Sequence, residues 1–307
     1  METKAVSNKR LIVIVGPTGI GKTDLAITLA QRLQTEIISA DARQVYTGMR
    51  IGTAQPSIEQ LQLVKHHFIN SLPIATLYSA GQFESEALRL METLFQHYQT
   101  LVMVGGSGLY IKAVCEGLDP MPAIPLQVRE HFNQRLQKEG IHVLANELST
   151  LDPTYYQQVD KHNPQRIIRA LEIIHATGRP YSEWRVHNTY TTPRRFQTIT
   201  IGLDMERKAL YERVNQRVDA MMQAGLYQEA VELYPYRDYN SLQTVGYQEI
   251  FQHLEGHLSL QEAIALVKRN SRRYAKRQLT WFRNQKDITW FHPTEVAAIM
   301  RHITAML

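Results

Sequence analysis

The chain has 307 residues and 44% hydrophobic residues, which is enough for a sizeable core and favours about two domains. Its net charge of +5 is modest. No apolar stretch of about 18 residues and no signal-peptide pattern occurs, and the single cysteine, Cys115, excludes an internal disulfide. We therefore expect a cytoplasmic protein with no membrane partner.

The first predicted element is a buried strand, the apolar run 11–15, which leads directly into a glycine-rich loop. That loop, GPTGIGKT at 16–23, matches G-x-x-x-x-G-K-[ST] at every fixed position, and leucines at helical spacing follow it. Glycines let backbone N–H groups turn toward phosphate oxygens, and the helix N-terminus adds positive potential. Lys22 would supply a point charge and Thr23 a hydroxyl ligand for Mg²⁺. The pattern predicts a bound di- or triphosphate, but it does not identify the reaction that this ligand undergoes.

Two more short strands are predicted in the first third of the chain. Residues 36–41 (EIISAD) end in Asp41, and residues 101–104 run into the glycine pair 105–106 and Ser107. In open α/β sheets, ligands bind beyond the carboxyl ends of the strands. The sequence therefore predicts that the phosphate loop, Asp41 and Ser107 lie near one crevice.

The pattern changes after Gly117, where three closely spaced prolines predict a hinge. We predict a core domain in two parts, 1–118 and 198–307, and an inserted helical lobe over 119–197. Within the lobe, the pair Asn163-Pro164 predicts a capped helix start and Gly178 predicts the end of that helix. In the second part of the core, residues 198–204 and 288–291 read as strands and the remainder as mostly helical.

Basic residues are concentrated near the carboxyl end of the chain. Between Lys268 and Lys286 there are eight basic residues and no acidic one, so the rest of the chain carries a net charge of −3. On a helix, one broad face would carry Arg269, Arg272, Arg273, Lys276 and Arg283. Such a stripe fits contact with nucleic-acid phosphates, and a solvated basic helix face is the alternative.

The loop alone also permits an ATPase motor or a small-molecule kinase. A motor usually carries an apolar strand that ends in an Asp for Mg²⁺, whereas the strand 101–104 ends in the glycine pair 105–106. Asp41 can fill that role from the neighbouring strand, and Arg213 and Arg217, spaced by four, are compatible with a kinase lid. A third alternative is a non-enzymatic RNA-binding protein that uses the loop to hold nucleic-acid phosphate.

Together these motifs resemble bacterial tRNA dimethylallyltransferases, the IPP transferase family, over nearly the whole chain. The matching segments are 16–23 (GPTGIGKT), 39–46 (SADARQVY), 51–56 (IGTAQP), 104–110 (VGGSGLY), 163–172 (NPQRIIRALE), 211–221 (YERVNQRVDAM), 245–249 (VGYQE) and 272–283 (RRYAKRQLTWFR). The resemblance implies an α/β fold, a P-loop NTPase-like parallel sheet flanked by helices with an inserted all-helical lobe. It also implies transfer of a dimethylallyl group from dimethylallyl diphosphate to N6 of the adenosine immediately 3′ of the anticodon of tRNA, with release of diphosphate.

The resemblance further implies roles for individual residues of a monomeric enzyme that binds the tRNA anticodon stem-loop. Asp41 would be the general base, with a role in holding Mg²⁺ as the alternative, and Lys22, Thr23 with Mg²⁺, and Arg217 would stabilise the departing diphosphate. The diphosphate contacts would be Gly16, Pro17, Thr18, Gly19, Ile20, Gly21, Lys22, Thr23 and Arg217. The tRNA contacts would be Asp41, Ala42, Arg43, Gln44, Ser107, Arg129, Gln165, Arg166, Ile167, Ile168, Arg169, Gln243, Thr244, Val245, Gly246, Tyr247, Gln248, Arg272, Lys276 and Arg283.

Four positions depart from the pattern of many family members. Ala42, Arg50, Gln55 and Ser107 stand where Ser, Asp, Lys and Thr are common. Ser107 keeps the hydroxyl, whereas Arg50 and Gln55 change the charge that we expect near the crevice.

Overall fold

The structure is a computed structural model, and it describes residues 8–185 and 193–307. Within them, six parallel strands form one sheet in the order β3-β2-β4-β1-β5-β6. The strands are β1 (Arg10–Val15), β2 (Ile37–Ser39), β3 (His66–His67), β4 (Thr100–Val104), β5 (Gln197–Leu203) and β6 (Ile288–Phe291). The predicted parallel α/β sheet is confirmed.

Helices connect these strands and account for most of the remaining described residues. They are α1 (Lys22–Arg32), α2 (Ile58–Leu63), α3 (Ala80–Leu94), α4 (Gly108–Glu116), α5 (Leu126–Glu139), α6 (Ile141–Leu151), α7 (Pro153–Gln158), α8 (Pro164–Thr177), α9 (Tyr181–Trp184), α10 (Arg207–Gln223), α11 (Leu226–Leu233), α12 (Tyr247–Leu254), α13 (Leu260–Arg283) and α14 (Val296–Met306). Two 3₁₀ turns, Tyr234–Tyr236 and Asn240–Leu242, precede α12. None of the helices in the described ranges has the length and apolarity needed to cross a bilayer.

β1 lies inside the sheet and is buried on both faces. Ile12 and Ile14 pack into a cluster with α1, α10 and α14, whereas Leu11, Val13 and Val15 pack into a second cluster with α3 and α4. Successive side chains of a strand point to opposite faces, so a strand covered by helices on both sides reads as a continuous apolar run. Each such side chain contributes roughly 1.5–3 kcal/mol when fully buried. The phosphate loop is therefore anchored on the best-packed strand.

β3 is the strand that the sequence did not predict, because two consecutive histidines give no apolar pattern. His66 and His67 pair with β2 at the edge of the sheet. The Nε2 of His67 lies 2.5 Å from the carboxylate of Glu36, just before β2. His67 therefore has a structural role at this edge of the sheet.

The chain divides into two compact units. Unit 1 comprises Met1–Glu116 and Pro193–Leu307, and unit 2 comprises Gly117–Thr192. Unit 2 contains the helices α5 to α9, whereas the sequence placed the lobe at 119–197. As predicted, α8 starts at a cap, where the side chain of Asn163 accepts a hydrogen bond from the backbone N–H of Arg166, and it ends at Gly178 with a φ of 69°.

Candidate active site

The glycine loop joins β1 to α1 at the carboxyl edge of the sheet. Gly19 and Gly21 have φ angles of 80° and 102°, in the left-handed region that favours glycine. A Cβ added at Gly16 would lie 2.8 Å from the backbone oxygen of Leu203, so no side chain fits there. The first turn of α1, which begins at Lys22, has no side-chain cap. Its backbone N–H groups are therefore available to an anion.

A cavity of about 810 Å³ lies over the carboxyl ends of β1, β2 and β4. Its wall includes Thr18, Gly19, Gly21, Lys22, Thr23, Asp41, Arg43, Gln44, Gly105, Gly106, Arg217, Thr244, Val245, Tyr274 and Gln278. The phosphate loop and Asp41 thus share one cavity, as the strand-end rule predicts. Ser107 lies next to this wall in the chain but is not part of it.

Lys22 and Arg217 are two of the cationic side chains that line this cavity, and neither forms an ion pair within residues 8–185 and 193–307. The Nζ of Lys22 donates to the backbone oxygens of Gly16 at 2.9 Å and Pro17 at 2.8 Å. Burial, reinforced by Arg217 and opposed by Asp41, lowers the pKa of Lys22 to about 7. Burial also lowers the pKa of Arg217. Buried positive charge of this kind is stabilised by a bound anion.

The lowered pKa of Lys22 predicts that anion binding takes up a proton. Without a bound anion, Lys22 is mostly neutral at about pH 8, and an anion that favours the charged form raises its pKa. Below about pH 6 the side chain is already charged, so this uptake disappears. Calorimetric titration with inorganic diphosphate, in buffers of different ionisation enthalpy, measures this uptake. At pH 8 we expect the native protein to take up more protons on binding than the Lys22→Met variant does. Equal uptake by the two proteins would contradict the shift.

Asp41 lies just beyond β2, where its carboxylate closes a tight turn. Its Oδ1 accepts hydrogen bonds from the backbone N–H groups of Arg43 at 2.9 Å and Gln44 at 3.3 Å. Its Oδ2 has no hydrogen-bond or ionic partner in the part of the chain that the structure describes. One oxygen therefore holds the turn, and the other is available to a group in the cavity.

The turn after Asp41 is fixed to two neighbouring loops. The backbone N–H of Ala42 donates to Oγ of Ser107 at 2.9 Å. The side-chain amide of Gln44 donates to the backbone oxygens of Thr53 at 3.1 Å and Ala54 at 2.9 Å. Ser107 therefore orients Ala42 from behind the cavity wall, and Gln44 ties the turn to the loop after it.

The predicted RNA-contacting segment 243–248 is only partly exposed. Gln243 and Gln248 are exposed, and a hydrogen bond of 2.6 Å joins their side chains. Thr244 and Val245 are half-buried and line the cavity. These four residues are accessible, two from the surface and two from the cavity.

Gly246 and Tyr247 of the same segment, which are also predicted RNA contacts, are buried. The hydroxyl of Tyr247 donates to the carboxylate of Glu229 at 2.7 Å. The same carboxylate accepts the backbone N–H groups of Ile51 and Gly52, each at 2.8 Å. A Cβ at Gly52 would lie 2.4 Å from the ring of Tyr247. Tyr247 and Glu229 therefore fix the loop that starts at Ile51 rather than meet a ligand.

The basic stripe on α13 is divided between internally bonded and freely exposed cations. The guanidinium of Arg272 donates to Oδ1 of Asn215 on α10 at 2.6 Å, and that of Arg283 pairs with Asp204 after β5. Arg283 is nevertheless exposed, as are Arg269, Arg273, Lys276 and Arg277. Arg272 and Arg283 thus hold α13 in place, while the other four direct their charge to solvent.

In unit 2, the predicted RNA-contacting arginines are partly engaged by a buried carboxylate. Arg129 donates twice to Glu172, at 2.7 and 3.1 Å, and Arg169 donates to it at 3.4 Å. Glu172 is fully buried, so it needs these cations. Gln165 and Arg166 at the start of α8 are exposed.

Ile167 and Ile168, which are also predicted RNA contacts, have buried side chains. They are 0% and 6% exposed and pack into the core of unit 2 with Leu171 and Phe132. A run of consecutive helix residues covers all sides of the helix, so part of any such run faces the core.

Three residues near the cavity had no firm sequence-based role. Gln278 and Tyr274 of α13 line the cavity, and Nε of Arg213 on α10 donates to the backbone oxygen of Gly19 at 3.0 Å. Burial, reinforced by Asp41, raises the pKa of Tyr274 to about 12, so its phenol stays neutral. The sequence does hold a signal for them, because each lies four residues from another cavity residue on the same helix face, Arg213 from Arg217 and Tyr274 from Gln278.

A family model described as "IPP transferase" matches residues 44–285. The chain belongs to the IPP transferase family. The resemblance that the sequence motifs indicated is therefore confirmed. The matched range includes unit 2, α10 with Arg217, and the basic helix α13.

Relatives and solved structures agree with this family membership. The tRNA dimethylallyltransferase 1 of Phocaeicola vulgatus is 46% identical over 293 residues, covering 95% of this chain and 97% of the relative. The tRNA dimethylallyltransferase of Christiangramia forsetii is 50% identical over 281 residues, covering 92% of each chain. The crystal structure of tRNA isopentenylpyrophosphate transferase from Bacillus halodurans is similar at a TM-score of 0.71 and 38% identity, covering 97% of this chain and 96% of that chain.

A structure of a eukaryotic dimethylallyltransferase acting on tRNA is similar at a TM-score of 0.76 and 27% identity, covering 94% of this chain and 75% of that chain. Together with the parallel sheet described above, these neighbours confirm the predicted P-loop NTPase-like fold.

Two departures from the usual IPP transferase pattern have structural explanations. Arg50 is exposed and not part of the cavity wall, so its charge faces solvent. Gln55 lines the cavity, and its amide donates to the backbone oxygens of Gln44 at 2.9 Å and Tyr46 at 3.0 Å. Gln55 therefore supports the turn that carries Asp41, with a neutral side chain where many family members have Lys.

Proposed function

We propose that this protein is a tRNA dimethylallyltransferase. It transfers the dimethylallyl group of dimethylallyl diphosphate to N6 of the adenosine immediately 3′ of the anticodon and releases diphosphate. The observation that carries the proposal is one cavity in which Asp41 has an unengaged carboxylate oxygen and Lys22 and Arg217 provide positive charge. A carboxylate takes a proton from a nucleophile, and buried cations stabilise an anionic leaving group. The names of the relatives point to the same reaction.

The phosphate loop serves the leaving group in this reaction. As the carbon–oxygen bond of the donor breaks, negative charge builds on the bridging oxygen of the diphosphate. The N–H groups of the loop, Lys22 held by two loop carbonyls, and Arg217 on α10 are already in place for that charge. Donors that are positioned in advance need no reorganisation during the reaction, which is why they stabilise a transition state effectively.

The site fits a Mg²⁺ ion that is held mainly by the donor itself. The described residues contain no cluster of three or more His, Cys, Asp or Glu that is able to hold a metal. The hydroxyl of Thr23 lines the cavity and has no hydrogen-bond partner among those residues. Mg²⁺ typically takes one or two protein ligands and completes its shell with phosphate oxygens and water. Thr23 would hold the ion, which when bound neutralises charge on the diphosphate.

Asp41 acts on the acceptor. The lone pair of the exocyclic amine of adenine is delocalised into the ring, so the amine is a weak nucleophile. As the nitrogen forms a bond to the first carbon of the dimethylallyl group, Oδ2 of Asp41 accepts the N6 proton and the electron pair of the broken bond leaves with diphosphate. Oδ1 keeps its backbone hydrogen bonds, so the carboxylate stays oriented during the transfer. A role for Asp41 in holding Mg²⁺ is the alternative.

The tRNA must present its target base out of the stack. An anticodon loop is single-stranded, so extrusion costs only a few kcal/mol, roughly. Around the base, the contacts come from Arg43, Gln44 and Ala42, and Ser107 orients Ala42. Further along the RNA they come from Gln165, Arg166, Arg129 and Arg169 in unit 2 and from Gln243, Thr244, Val245, Gln248 and Lys276 in unit 1, while Arg272 and Arg283 hold α13 in place. The exposed cations of α13 make binding weaker at high salt.

We propose a monomer as the active form. Its substrate would be a tRNA, so we assign the protein to the cytoplasm.

A transfer assay with two labelled donors tests the proposal. The protein is incubated with labelled dimethylallyl diphosphate or γ-labelled ATP, each with and without tRNA. We expect label in the tRNA only from the prenyl donor. After nuclease digestion of the RNA, the label must be found in the fragment that contains the nucleotide beside the anticodon. Release of phosphate from ATP, with no prenyl transfer, would favour the kinase or ATPase alternative instead.

A further inference from the structure

Gln278 is a buried side chain that joins two loops of the site. It lies on α13 and is 6% exposed. Its Oε1 accepts the backbone N–H of Thr18 in the phosphate loop at 2.8 Å, and its Nε2 donates to the backbone oxygen of Gly106 after β4 at 3.0 Å. Because an amide has a distinct donor and acceptor end, only this orientation satisfies both loops.

The loop after β4 is shaped to admit this amide. A Cβ at Gly106 would lie 2.2 Å from Nε2 of Gln278, and one at Gly105 would lie 2.1 Å from the backbone oxygen of Ala40. Both distances are too short for a side chain. The glycine pair 105–106 therefore fits between the end of β2 and the amide of Gln278.

The contact fixes the part of the phosphate loop that does not belong to α1. Thr18 lies at the middle of the loop, where no helix hydrogen bond holds its N–H. The hydrogen bond from that N–H to Gln278 fixes the orientation of the neighbouring peptide groups of the loop. The same helix carries the exposed Lys276 and Arg277 immediately before Gln278. One side of α13 therefore faces solvent and the other fixes the loop.

We propose that Gln278 is a positioning residue for the diphosphate site, which holds the phosphate loop in the conformation that binds diphosphate. The inference rests on the proposed function, because it assigns diphosphate to this loop. Gln278 acts through Thr18 and Gly106. Its loss leaves a half-buried N–H and a buried carbonyl unpaired, and such groups turn toward other partners.

Calorimetric binding of inorganic diphosphate to the full chain tests the role. We expect Gln278→Leu, which keeps the volume but not the amide, to weaken diphosphate binding about 10-fold or more. Gly106→Ala should have a similar effect, because the added Cβ displaces the amide. The double variant should be no worse than either single one, since both remove the same contact. In the transfer assay, KM for the prenyl donor should rise while KM for tRNA changes less than about twofold.

Two further variants on α13 separate positioning from general destabilisation. Gln261→Leu changes an exposed glutamine, and Val267→Ala removes buried methyl groups away from the loops. Neither should change the diphosphate affinity, although Val267→Ala should lower Tm. The inference is overturned if Gln278→Leu binds diphosphate like the native protein, or if Val267→Ala weakens binding as much for the same loss of Tm. A native protein that binds no diphosphate would instead contradict the proposed function and this inference together.

Discussion

Replacement of Asp41 by asparagine is expected to lower the rate of prenyl transfer by a factor of about 10²–10⁴, the usual contribution of a general base. Asparagine keeps an oxygen that can accept the backbone N–H groups of Arg43 and Gln44, so the turn remains closed. What it loses is the ability of the second oxygen to take the N6 proton. Single-turnover assays with saturating tRNA and donor measure the chemical step directly.

The matched control for this variant is Asp160→Asn. Asp160 also accepts a backbone N–H two residues on, that of His162 at 3.0 Å, but it lies in unit 2 and not on the cavity. The Asp160→Asn variant should transfer prenyl groups at the native rate. Affinity for tRNA should be unchanged in Asp41→Asn, as measured by filter binding. Turnover by Asp41→Asn within about 10-fold of native would remove Asp41 from the role of base.

Replacement of Lys22 by methionine is expected to reduce kcat/KM for the prenyl donor by about 10²–10³, the range for loss of one positioned donor to a developing anion. Methionine has a similar length but carries no charge. The carbonyls of Gly16 and Pro17 then lose their shared cation, and Arg217 alone faces the leaving group. Steady-state assays with varied donor and saturating tRNA check the result.

Lys65→Met serves as the control for the second variant. Lys65 is a surface residue whose side chain is 65% exposed and pairs with Glu36 at 3.4 Å. Exposed ion pairs contribute little, so its loss should leave kcat/KM within about twofold. Inorganic diphosphate should bind Lys22→Met much more weakly than Lys65→Met. If both variants bind it equally, the charge of Lys22 is not part of the diphosphate site.

Local sequence patterns predicted the structure correctly where a segment's conformation depends mainly on its own residues. The phosphate loop, the apolar strand before it and the capped helix α8 all depend on neighbours within a few residues, so their residue types predict them. β3 was not predicted because its two histidines have no strand-like apolar pattern. Their extended conformation depends on pairing with β2 at the edge of the sheet.

The predicted tRNA contacts show where local reasoning fails. Ile167, Ile168 and Tyr247 lie in segments that match the family, and their side chains are nevertheless buried. Arg272 also belongs to a basic stripe, but it bonds to Asn215, 57 residues earlier. A sequence pattern shows that a charged side chain is present, but it does not show whether that side chain forms a hydrogen bond or ion pair with a distant part of the chain.

The sequence by itself determined the parallel α/β fold, the phosphate loop and the family, because these depend on short-range order and on residue types at fixed spacing. Only the tertiary structure decided which oxygen of Asp41 is unengaged, which cations of α13 face solvent, and that Gln278 holds Thr18 from 260 residues away. The physical reason is that burial and hydrogen-bond satisfaction belong to pairs of groups that meet in space. Their positions in the chain do not contain that information until the chain has folded.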